Sequence, residues 1–443
     1  MSSVNFMEKL LDGVEVQWKP LGEVADLIRG NGLQKKDFTE TGVPAIHYGQ
    51  IYTYYGTFTS ETKSFVSPEL AKTLRKVDTG DVVITNTSEN LEDVGKAVVY
   101  LGKVQAVTGG HATIIKPSKH LLGKYFAYFT QTEMFASQKR KYAKGTKVID
   151  VSATDMSKIQ IPIPFFDNPV KSLEIQTEIV RILDTFTELT AELTAELTAE
   201  LTARKKQYTY YRDQLLSFEE GTTEEAHAKP RSRKGKERNG AQVEWKTLGD
   251  LTSLITKGTT PKKYAETGIA FIKTEAFDGT YINTNRLSFI DNETHNKELK
   301  RSILNHNDIL ITIAGATIGK CAIVPKEILP ANTNQALAII RLNDDVNLKY
   351  VFHLIKSNYM TKYIELNIKG SAQPNLNLEQ LNNFSIPYPS PGEQARIVAI
   401  LDKFDSLTNS ITEGLPREIE LRQKQYEYYR NLLLTFPKDG VVA

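Results

Sequence analysis

Short apolar runs, separated by glycine, asparagine and aspartate, occur in two regions of the chain. They read "DVVITNT", "AVVYLG" and "ATIIKP" in the first region, and "DILITIA" and "ALAIIRL" in the second. Short apolar runs bounded by turn residues predict strands. The segments "GKYFAYFTQTEMFASQKRKY" and "LKYVFHLIKSNYMTKYIEL" carry apolar residues at helical spacing instead. The pattern therefore predicts an α+β protein with two modules of mixed α/β structure.

Each module is followed by a long segment whose apolar residues alternate spacings of four and three. They are Ile175, Ile179, Ile182, Phe186, Leu189 and Leu193 in the first segment, and Ile397, Ile400, Phe404, Leu407 and Ile411 in the second. This spacing is typical of a coiled-coil seam, so we expect each helix to pair with the other. The proline-rich stretches "IPIPFFDNP" and "IPYPSPGE" predict where the helices begin, because proline is tolerated in a first turn. Gly414 and Pro416 predict a kink or break in the second helix.

The sequence is duplicated along its whole length. "VEVQWKPLGEVADLI" reappears as "AQVEWKTLGDLTSLI" at an offset of 227 residues, and "RKKQYTYYRDQLLSF" reappears as "RQKQYEYYRNLLLTF" at an offset of 218. Repetition at a nearly fixed offset indicates that the two halves of the chain have the same architecture. A duplicated chain closes most simply as an antiparallel coiled coil with pseudo-two-fold symmetry.

The repeat predicts five segments. They are a first domain at 1–170, a first long helix at 171–218, a polar and basic linker at 219–241, a second domain at 242–390 and a second long helix at 391–437. The linker contains "KPRSRKGKER", which we interpret as a solvated stretch; contact with phosphates is the alternative.

The first helix contains the word TAEL three times in succession, from Thr190 to Leu201. Its leucines Leu193, Leu197 and Leu201, following Leu189, are spaced by four residues, which locally unwinds a heptad coil. Four helical residues add about 6 Å and about 40° of rotation. One base pair of DNA turns by roughly 34 to 36°. The tract could therefore act as a ruler, although a slipped repeat of good helix formers is the alternative.

Composition narrows the class of protein. Of 443 residues, 40% are apolar and 24% charged, which is typical of a globular protein with more than one domain. The formal net charge of +2 does not by itself indicate a nucleic-acid partner. A single cysteine excludes a multi-cysteine metal site. Without a long apolar run or a signal-peptide pattern, we expect a cytoplasmic protein.

The sequence contains no complete catalytic motif. "GATIGKC" imitates a phosphate-binding loop, but it has three residues between its glycines and ends in cysteine rather than serine or threonine. The acidic stretch "NDDVNLK" is better explained as a turn than as part of a nuclease site. The tetrapeptides of adenine methyltransferases are absent as well.

The duplicated modules, the near-identical helix ends and the TAEL copies resemble the DNA-specificity subunits of type I restriction-modification systems. The resemblance covers essentially the whole chain. It implies two target-recognition domains, each reading one part of a bipartite site in double-stranded DNA. It also implies a non-catalytic chain that docks two methyltransferase subunits and two restriction (motor) subunits. S-adenosylmethionine, ATP and Mg²⁺ are then expected in those partner subunits, and no cofactor is expected in this chain.

Reading DNA needs donors and acceptors for base edges and cations for phosphates. In the first domain the candidates are Arg29, Gln34, Lys35, Lys36, His47, Tyr48, Gln50, Asn86, Lys144, Thr146 and Lys147. In the second domain they are Lys257, Thr259, Thr260, Lys262, Lys263, Lys273, Asn332, Asn334, Gln335, Lys369, Ser371, Gln373 and Asn375. Paired lysines recur at equivalent positions, which favours phosphate contacts for Lys35, Lys36, Lys262 and Lys263; solvated charge is the alternative.

Two other functions stay open at this stage. A helical scaffold that binds only proteins would use the duplicated modules to hold peptides. An autonomous methyltransferase would need motifs that the chain lacks. No sequence feature identifies the bases that would be read.

Overall fold

The computed structural model describes residues 15–218, 233–236, 242–368, 375–409 and 414–436. Two compact units divide the chain. Unit 1 combines the residues up to Thr194 with those from Leu421 onwards, and unit 2 is Ala195–Glu420. The first unit is therefore built from two separate parts of the sequence.

Unit 1 contains two five-stranded sheets and two strand pairs. The strands are β1 Val16–Pro20, β2 Ala25–Arg29, β3 Phe38–Thr39, β4 Val43–Ile46, β5 Phe58–Thr59, β6 Ser64–Val66, β7 Arg75–Val77, β8 Val82–Thr85, β9 Thr87–Ser88, β10 Ala97–Tyr100, β11 Ala106–Thr108, β12 Ala112–Pro117, β13 Ile149–Asp150 and β14 Gln160–Pro164. The sheet orders are β2-β12-β8-β10-β5 and β3-β6-β4-β11-β7, with β1 paired to β14 and β9 to β13. Its helices are α1 Leu21–Val24, α2 Tyr48–Thr53, α3 Pro68–Thr73, α4 Gly123–Phe129, α5 Glu133–Tyr142 and α6 Ala153–Met156, followed by α7 Pro169–Leu215.

Unit 2 repeats this arrangement with fewer strands. Its strands are β15 Arg233–Lys236, β16 Gln242–Thr247, β17 Thr252–Lys257, β18 Ile269–Ile272, β19 Phe277–Asp278, β20 Tyr281–Ile282, β21 Ser288–Ile290, β22 Ile309–Thr312, β23 Cys321–Ile323, β24 Ala331–Thr333, β25 Leu337–Leu342 and β26 Ser385–Tyr388. The sheet orders are β17-β25-β22-β23, β21-β18-β24 and β15-β16-β26, with β19 paired to β20. The helices are α8 Leu348–Ile355, α9 Asn358–Ile368, α10 Leu378–Asn382, α11 Pro391–Asn409 and, with its C-terminal part in unit 1, α12 Leu415–Leu434.

Short helical turns of other types complete the two units. They are 3-10 turns at Lys35–Asp37, Gly249–Leu251, Thr274–Ala276, Thr284–Arg286, Lys300–Ser302 and Lys326–Ile328, and a π turn at Thr294–Glu298.

The order β2-β12-β8-β10 matches β17-β25-β22-β23, and in each unit the second sheet contains one parallel pair, β4 with β11 and β18 with β24. A buried hydrogen bond crosses each parallel pair. The hydroxyl of Thr108 donates to the carbonyl of Ile46 at 2.8 Å, and the hydroxyl of Thr333 donates to that of Ile272 at 2.9 Å. The fold is thus two duplicated mixed α/β domains with a long helix.

The apolar runs form the central strands because both faces of each strand are covered. In β8, Val82 and Ile84 face the largest hydrophobic cluster of unit 1, whereas Val83 belongs to a second cluster. In β22, Ile309 faces one cluster and Leu310 another. A strand buried on both faces reads as a continuous apolar run, which is the pattern that predicted these strands.

Both long helical segments begin at the predicted prolines, Pro169 for α7 and Pro391 for α11. At 47 residues, α7 is about 70 Å long. The predicted interruption of the second segment is confirmed at Gly414, the residue before α12; on its other side the described helix is α11, Pro391–Asn409. Gly414 precedes α12 with a φ of 81°, a left-handed conformation that glycine adopts without strain.

The buried face of α7 departs from the predicted seam. Ile175, Ile179 and Leu183, which are spaced by four residues, are almost fully buried in unit 1. Leu189 was predicted to lie on the seam, but its side chain is 56% exposed. The physical reason is that the buried stripe through Ile175, Ile179 and Leu183 has a spacing of four residues, which moves around the helix relative to a heptad seam and leaves Leu189 outside it. The other spacer leucines, Leu193, Leu197 and Leu201, are partly buried.

Within each unit, α7 contacts the second helical segment through aromatic rings. In unit 1, Phe186 lies 5.6 Å from Tyr429 between ring centroids, and the hydroxyls of Thr187 and Tyr426 are 3.0 Å apart. In unit 2, the ring of Tyr208 is 6.3 Å from that of Phe404. The duplicated tyrosine motif therefore packs in both units.

The last described residues, at the end of α12 and just after it, belong to the core of unit 1. Leu433, Leu434 and Phe436 are almost fully buried in the same cluster as the strands β8 and β12. In unit 2 the repeated position of Phe436 is occupied by Phe218, which is only partly buried. Unit 1 is thus completed by residues far from it in the sequence.

Part of the segment predicted as a linker is a strand, since Arg233–Lys236 pairs antiparallel with β16. The rest of that segment lies outside the described residues.

Candidate nucleic-acid interface

In unit 1, the loop after β2 packs against the turn that joins β11 to β12. The backbone N–H of Gly30 donates to the carbonyl of Ala112 at 2.9 Å, and Arg29 donates from Nε to the carbonyl of Gly110 at 3.1 Å. A side chain at Gly30 would come within 2.2 Å of the carbonyl oxygen of Gly109. Glycine is therefore required here so that the two loops can meet.

An aromatic and histidine cluster lies beside these loops. His47 caps the N-terminus of α2, and its ring centroid is 4.5 Å from that of Tyr48. On its other side Tyr48 is 4.8 Å from His111, whose Nδ1 is 2.9 Å from the hydroxyl oxygen of Thr87. Burial, with the nearby charges of His111 and Lys35, lowers the pKa of His47. His47 is therefore neutral at neutral pH.

A third loop reaches the same surface through β13. Asp150 pairs with Thr87 in the ladder, and its carboxylate is 3.6 Å from the guanidinium of Arg29. Lys144 is bridged to Asp150 through backbone hydrogen bonds and forms an ion pair of 2.9 Å with Asp155. Hydrogen bonds from Lys158 and Lys144 lower the pKa of Asp155. Loops from four parts of the first domain thus converge.

Unit 2 places equivalent loops in the same way. The N–H of Gly258 donates to the carbonyl of Leu337 at 3.0 Å, and a side chain there would lie 2.1 Å from the carbonyl oxygen of Asn334. The N–H of Thr259 donates to Thr333 at 2.9 Å, and the hydroxyl of Thr260 donates to the amide oxygen of Gln335.

Strand register shows which residues correspond in the two units. Arg29 lies opposite Thr113 in β12, one residue before Gly30, and Lys257 lies opposite Ala338 in β25, one residue before Gly258. A register shift between Thr252 and Leu254 inserts one residue into β17, so the matching offset rises from 227 to 228. Each surface therefore has a cation at the same strand end.

The cations of unit 2 are paired with neighbouring groups. Lys273 follows β18, forms an ion pair of 2.7 Å with Glu275 and lies 5.4 Å from the ring centroid of Tyr264. Lys262 is 3.6 Å from Glu298. Exposed pairs of this kind contribute at most about 1 kcal/mol, so these lysines can exchange their partner for a phosphate.

Asn375 lies at the edge of the unit 2 surface. It forms an isolated bridge with Ala314, as Asp150 pairs with Thr87 in unit 1. The neighbouring predicted residues Lys369, Ser371 and Gln373 lie outside the described residues.

Several predicted contact residues are exposed on the converging loops. They are Arg29, Gln34, Lys35, Lys36, Lys144, Thr146 and Lys147 in unit 1, and Lys257, Thr260, Lys262, Lys263, Gln335 and Asn375 in unit 2. His47, Tyr48, Thr259, Lys273 and Asn334 are partly buried there.

Three predicted contacts need correction because their side chains face the interior. Asn86 is fully buried in unit 1. Asn332 is fully buried too, and its amide is used by His295, Leu299 and Ser302. Gln50 is half-buried, and its side chain donates to Ser64 at 2.6 Å. Residue type suggested base contacts, but Asn86 and Asn332 are closed off from solvent and the Gln50 amide is held by Ser64, so we exclude these three from the candidate interface.

Sequence reasoning missed His111, Tyr264 and Asp150. His111 follows two glycines in "VTGGHATII", directly before a predicted strand. A polar residue in a glycine turn at a strand end was the available signal, because loops at strand ends carry binding residues.

The interface residues belong to none of the motifs considered for catalysis. Cys321, at the end of "GATIGKC", is buried in β23, and burial raises the pKa of its thiol to about 12. Across the described residues, no cluster of His, Cys, Asp or Glu could hold a metal ion. Nor is any helix there long and apolar enough to cross a membrane.

Comparison with known proteins identifies the family. The model of the type I restriction modification DNA specificity domain matches residues 13–203 and 242–421. The specificity subunit of the type I restriction enzyme EcoR124I/EcoR124II from Escherichia coli is 36% identical, with all of both chains covered. The EcoprrI specificity subunit of the same species is 32% identical over 93% of each chain.

A solved structure describing the assembly and conformational transition of a type I restriction-modification system contains a chain of similar fold. Its TM-score is 0.59 at 15% identity, over 95% of this chain and 97% of that one. The chain belongs to the specificity subunits of type I restriction-modification systems, which recognise DNA sequence and are not themselves catalytic.

Proposed function

We propose that the two loop surfaces each read one part of a bipartite site in double-stranded DNA. The observation that carries the proposal is the repeated convergence of polar loops at equivalent strand ends. In unit 1 these loops meet around Arg29 and His111, and in unit 2 around Lys257 and Gln335. Mixed hydrogen-bonding and cationic groups on preformed loops suit base edges and phosphates.

We further propose that the long helices form an antiparallel coiled coil with pseudo-two-fold symmetry, which sets the spacing and rotation of the two surfaces. Contacts within unit 1 support the direction: Phe186 meets Tyr429, whereas the next residue, Thr187, meets Tyr426. The residue number of the partner on the second helix thus falls as the residue number along α7 rises, which is the pattern of an antiparallel pair. The TAEL tract, Thr190 to Leu201, would then fix the length of DNA left unread.

In this proposal the predicted segments 1–170, 171–218, 219–241, 242–390 and 391–437 act as recognition domain, spacer, linker, recognition domain and spacer. Two methyltransferase and two restriction subunits dock on the helices in the cytoplasm. S-adenosylmethionine, ATP and Mg²⁺ would be bound by those subunits.

Titration of labelled duplexes with this chain and its methyltransferase partner tests DNA recognition. We expect retention of one bipartite sequence, with affinity falling steeply as salt rises, because phosphate contacts release counterions. A scaffold that binds only proteins would retain no specific duplex. Mapping the methylated sites in the genome of a host that carries this gene beside its partner genes would identify the sequence.

Deleting one TAEL unit tests whether the tract sets the length of DNA left unread. The deletion should shorten the unread gap by about one base pair and leave both half-sites unchanged. Four helical residues turn roughly 400°, so the net rotation is about 40°, close to the twist of one base pair. A variant that replaces one TAEL by four alanines is the control, because it keeps helix length. Altered half-site sequences in the deletion would contradict the proposal.

A further inference from the structure

In unit 1 a tyrosine ring is flanked by two imidazoles. Tyr48 lies 4.5 Å from His47 and 4.8 Å from His111 between ring centroids. The two histidines come from different elements, the cap of α2 and the turn before β12. Their meeting on the loop surface is therefore a product of the fold.

The proton of neutral His47 has a defined place. The backbone N–H of Gly49 donates to Nδ1 of His47 at 3.2 Å, so Nδ1 is an acceptor and the neutral ring carries its hydrogen on Nε2. The backbone N–H of His47 is itself held by the amide oxygen of Gln50 at 3.4 Å. Among the described residues no hydrogen bond engages Nε2, which leaves one N–H donor available.

His111 is exposed and yet fixed in position. Its carbonyl accepts from the N–H of Asn86 at 2.9 Å, and its Nδ1 is 2.9 Å from the hydroxyl oxygen of Thr87, which is buried. Exposed side chains are ordinarily free to rotate. A ring held on both its backbone and its edge has lost that freedom before any ligand arrives, which is preorganisation.

Unit 2 shows that the scaffold does not require this cluster. Strand register aligns His47 with Lys273 and His111 with Ala336, because Thr108 and Thr333 occupy equivalent positions. The same backbone is therefore stable without either imidazole. Because the fold does not need the two imidazoles, they can serve a function that is specific to the surface of unit 1.

We propose that His47 and His111 are specificity-determining residues of the unit 1 surface. His47 directs its Nε2–H to an acceptor on a base edge in the major groove, and N7 of a purine is suited to a single N–H donor. His111, on the other side of the Tyr48 ring, selects the base at the neighbouring position of the same half-site. This inference rests on the proposed DNA recognition and names the residues that carry it out in one half-site.

Selection from duplexes randomised in both half-sites tests the inference, with the chain bound to its methyltransferase partner. His111→Ala should relax the preference at one base position of one half-site by about tenfold. His47→Asn keeps the helix cap, because asparagine accepts from the same N–H, and should relax an adjacent position. Thr87→Val releases the ring of His111 and should act at the same position as His111→Ala with a smaller effect.

Lys119→Ala, at the opposite end of β12, is the matched control and should leave every preference unchanged. Uniform loss of affinity without a change in preference, or a change in both half-sites, would overturn the inference. Failure of the wild-type complex to select any bipartite site would instead overturn the proposed function. Selection of the unaltered second half-site by each variant confirms that it has folded.

Discussion

The loop surfaces of the two units share a backbone arrangement and differ in side chains. Thr108 and Thr333 make the same buried hydrogen bond, and Gly30 and Gly258 allow the same close approach. The exposed positions on that frame differ, with imidazoles in unit 1 and lysine and amide groups in unit 2. The glycines and threonines that position the loops are thus the same in both units, as is a cation at the end of β2 and of β17, whereas other loop side chains differ.

The largest expected difference between the units is in their final phenylalanines. Phe436→Ala should reduce the free energy of unfolding by about 3 to 5 kcal/mol, because the ring is 2% exposed in the core of unit 1. Phe218→Ala, at the equivalent position, should cost clearly less since that ring is only partly buried. Urea denaturation of both variants measures the difference. Equal losses would show that the two units use their terminal helices alike.

An intermediate effect is expected where the units are the same. Gly30→Ala and Gly258→Ala should each cost about 2 to 3 kcal/mol, because the new methyl group meets backbone that cannot move aside. Gly56→Ala, where nothing lies within 4 Å, is the control and should be close to neutral. Thermal unfolding compares the three. A neutral Gly30→Ala would contradict the shared loop packing.

The smallest expected effect depends on pH. Tyr128 in unit 1 donates to Asp184 at 2.8 Å, and the equivalent pair in unit 2 is His353 with Asp402, also at 2.8 Å. Burial lowers the pKa of His353 below its ordinary value of 6.5, although Asp402 opposes the shift. The unfolded chain therefore takes up the proton first, so stability is full above pH 6.5 and is lost as the pH falls towards the folded pKa.

His353→Tyr, which copies unit 1, should remove this loss. The variant and the wild type are compared by thermal unfolding between pH 7 and pH 5, and the midpoint of the wild type should decrease more steeply over that range. Tyr128→Phe serves as the control because it introduces no group that titrates there. An unchanged slope in His353→Tyr would assign the pH dependence to other groups.

The sequence predicted the larger features of the fold and fewer of its contacts. Continuous apolar runs such as Val82–Thr85 identified central strands, and prolines placed the starts of both long helices. Leu189 was misplaced because the buried stripe of α7 follows a spacing of four residues through Ile175, Ile179 and Leu183 rather than heptad spacing. Side-chain direction on a surface of unknown shape cannot be read from spacing alone.

Contact residues were harder to predict for a related reason. Asn86 and Asn332 have the chemistry of base readers, but both are fully buried. His111 was missed because its meeting with Tyr48 depends on strands distant in sequence. The correspondence of Arg29 and Lys257 also required the strand register, since the inserted residue in β17 shifts the alignment by one.

The burial of Leu433, Leu434 and Phe436 in unit 1 has a consequence for synthesis of the protein. A ribosome makes the strands of unit 1 first, but Leu433, Leu434 and Phe436, which complete their core, are added only after the residues of unit 2. Unit 1, whose strands are translated first, is therefore completed only after unit 2 has been made, and a nascent chain lacks these apolar groups until then.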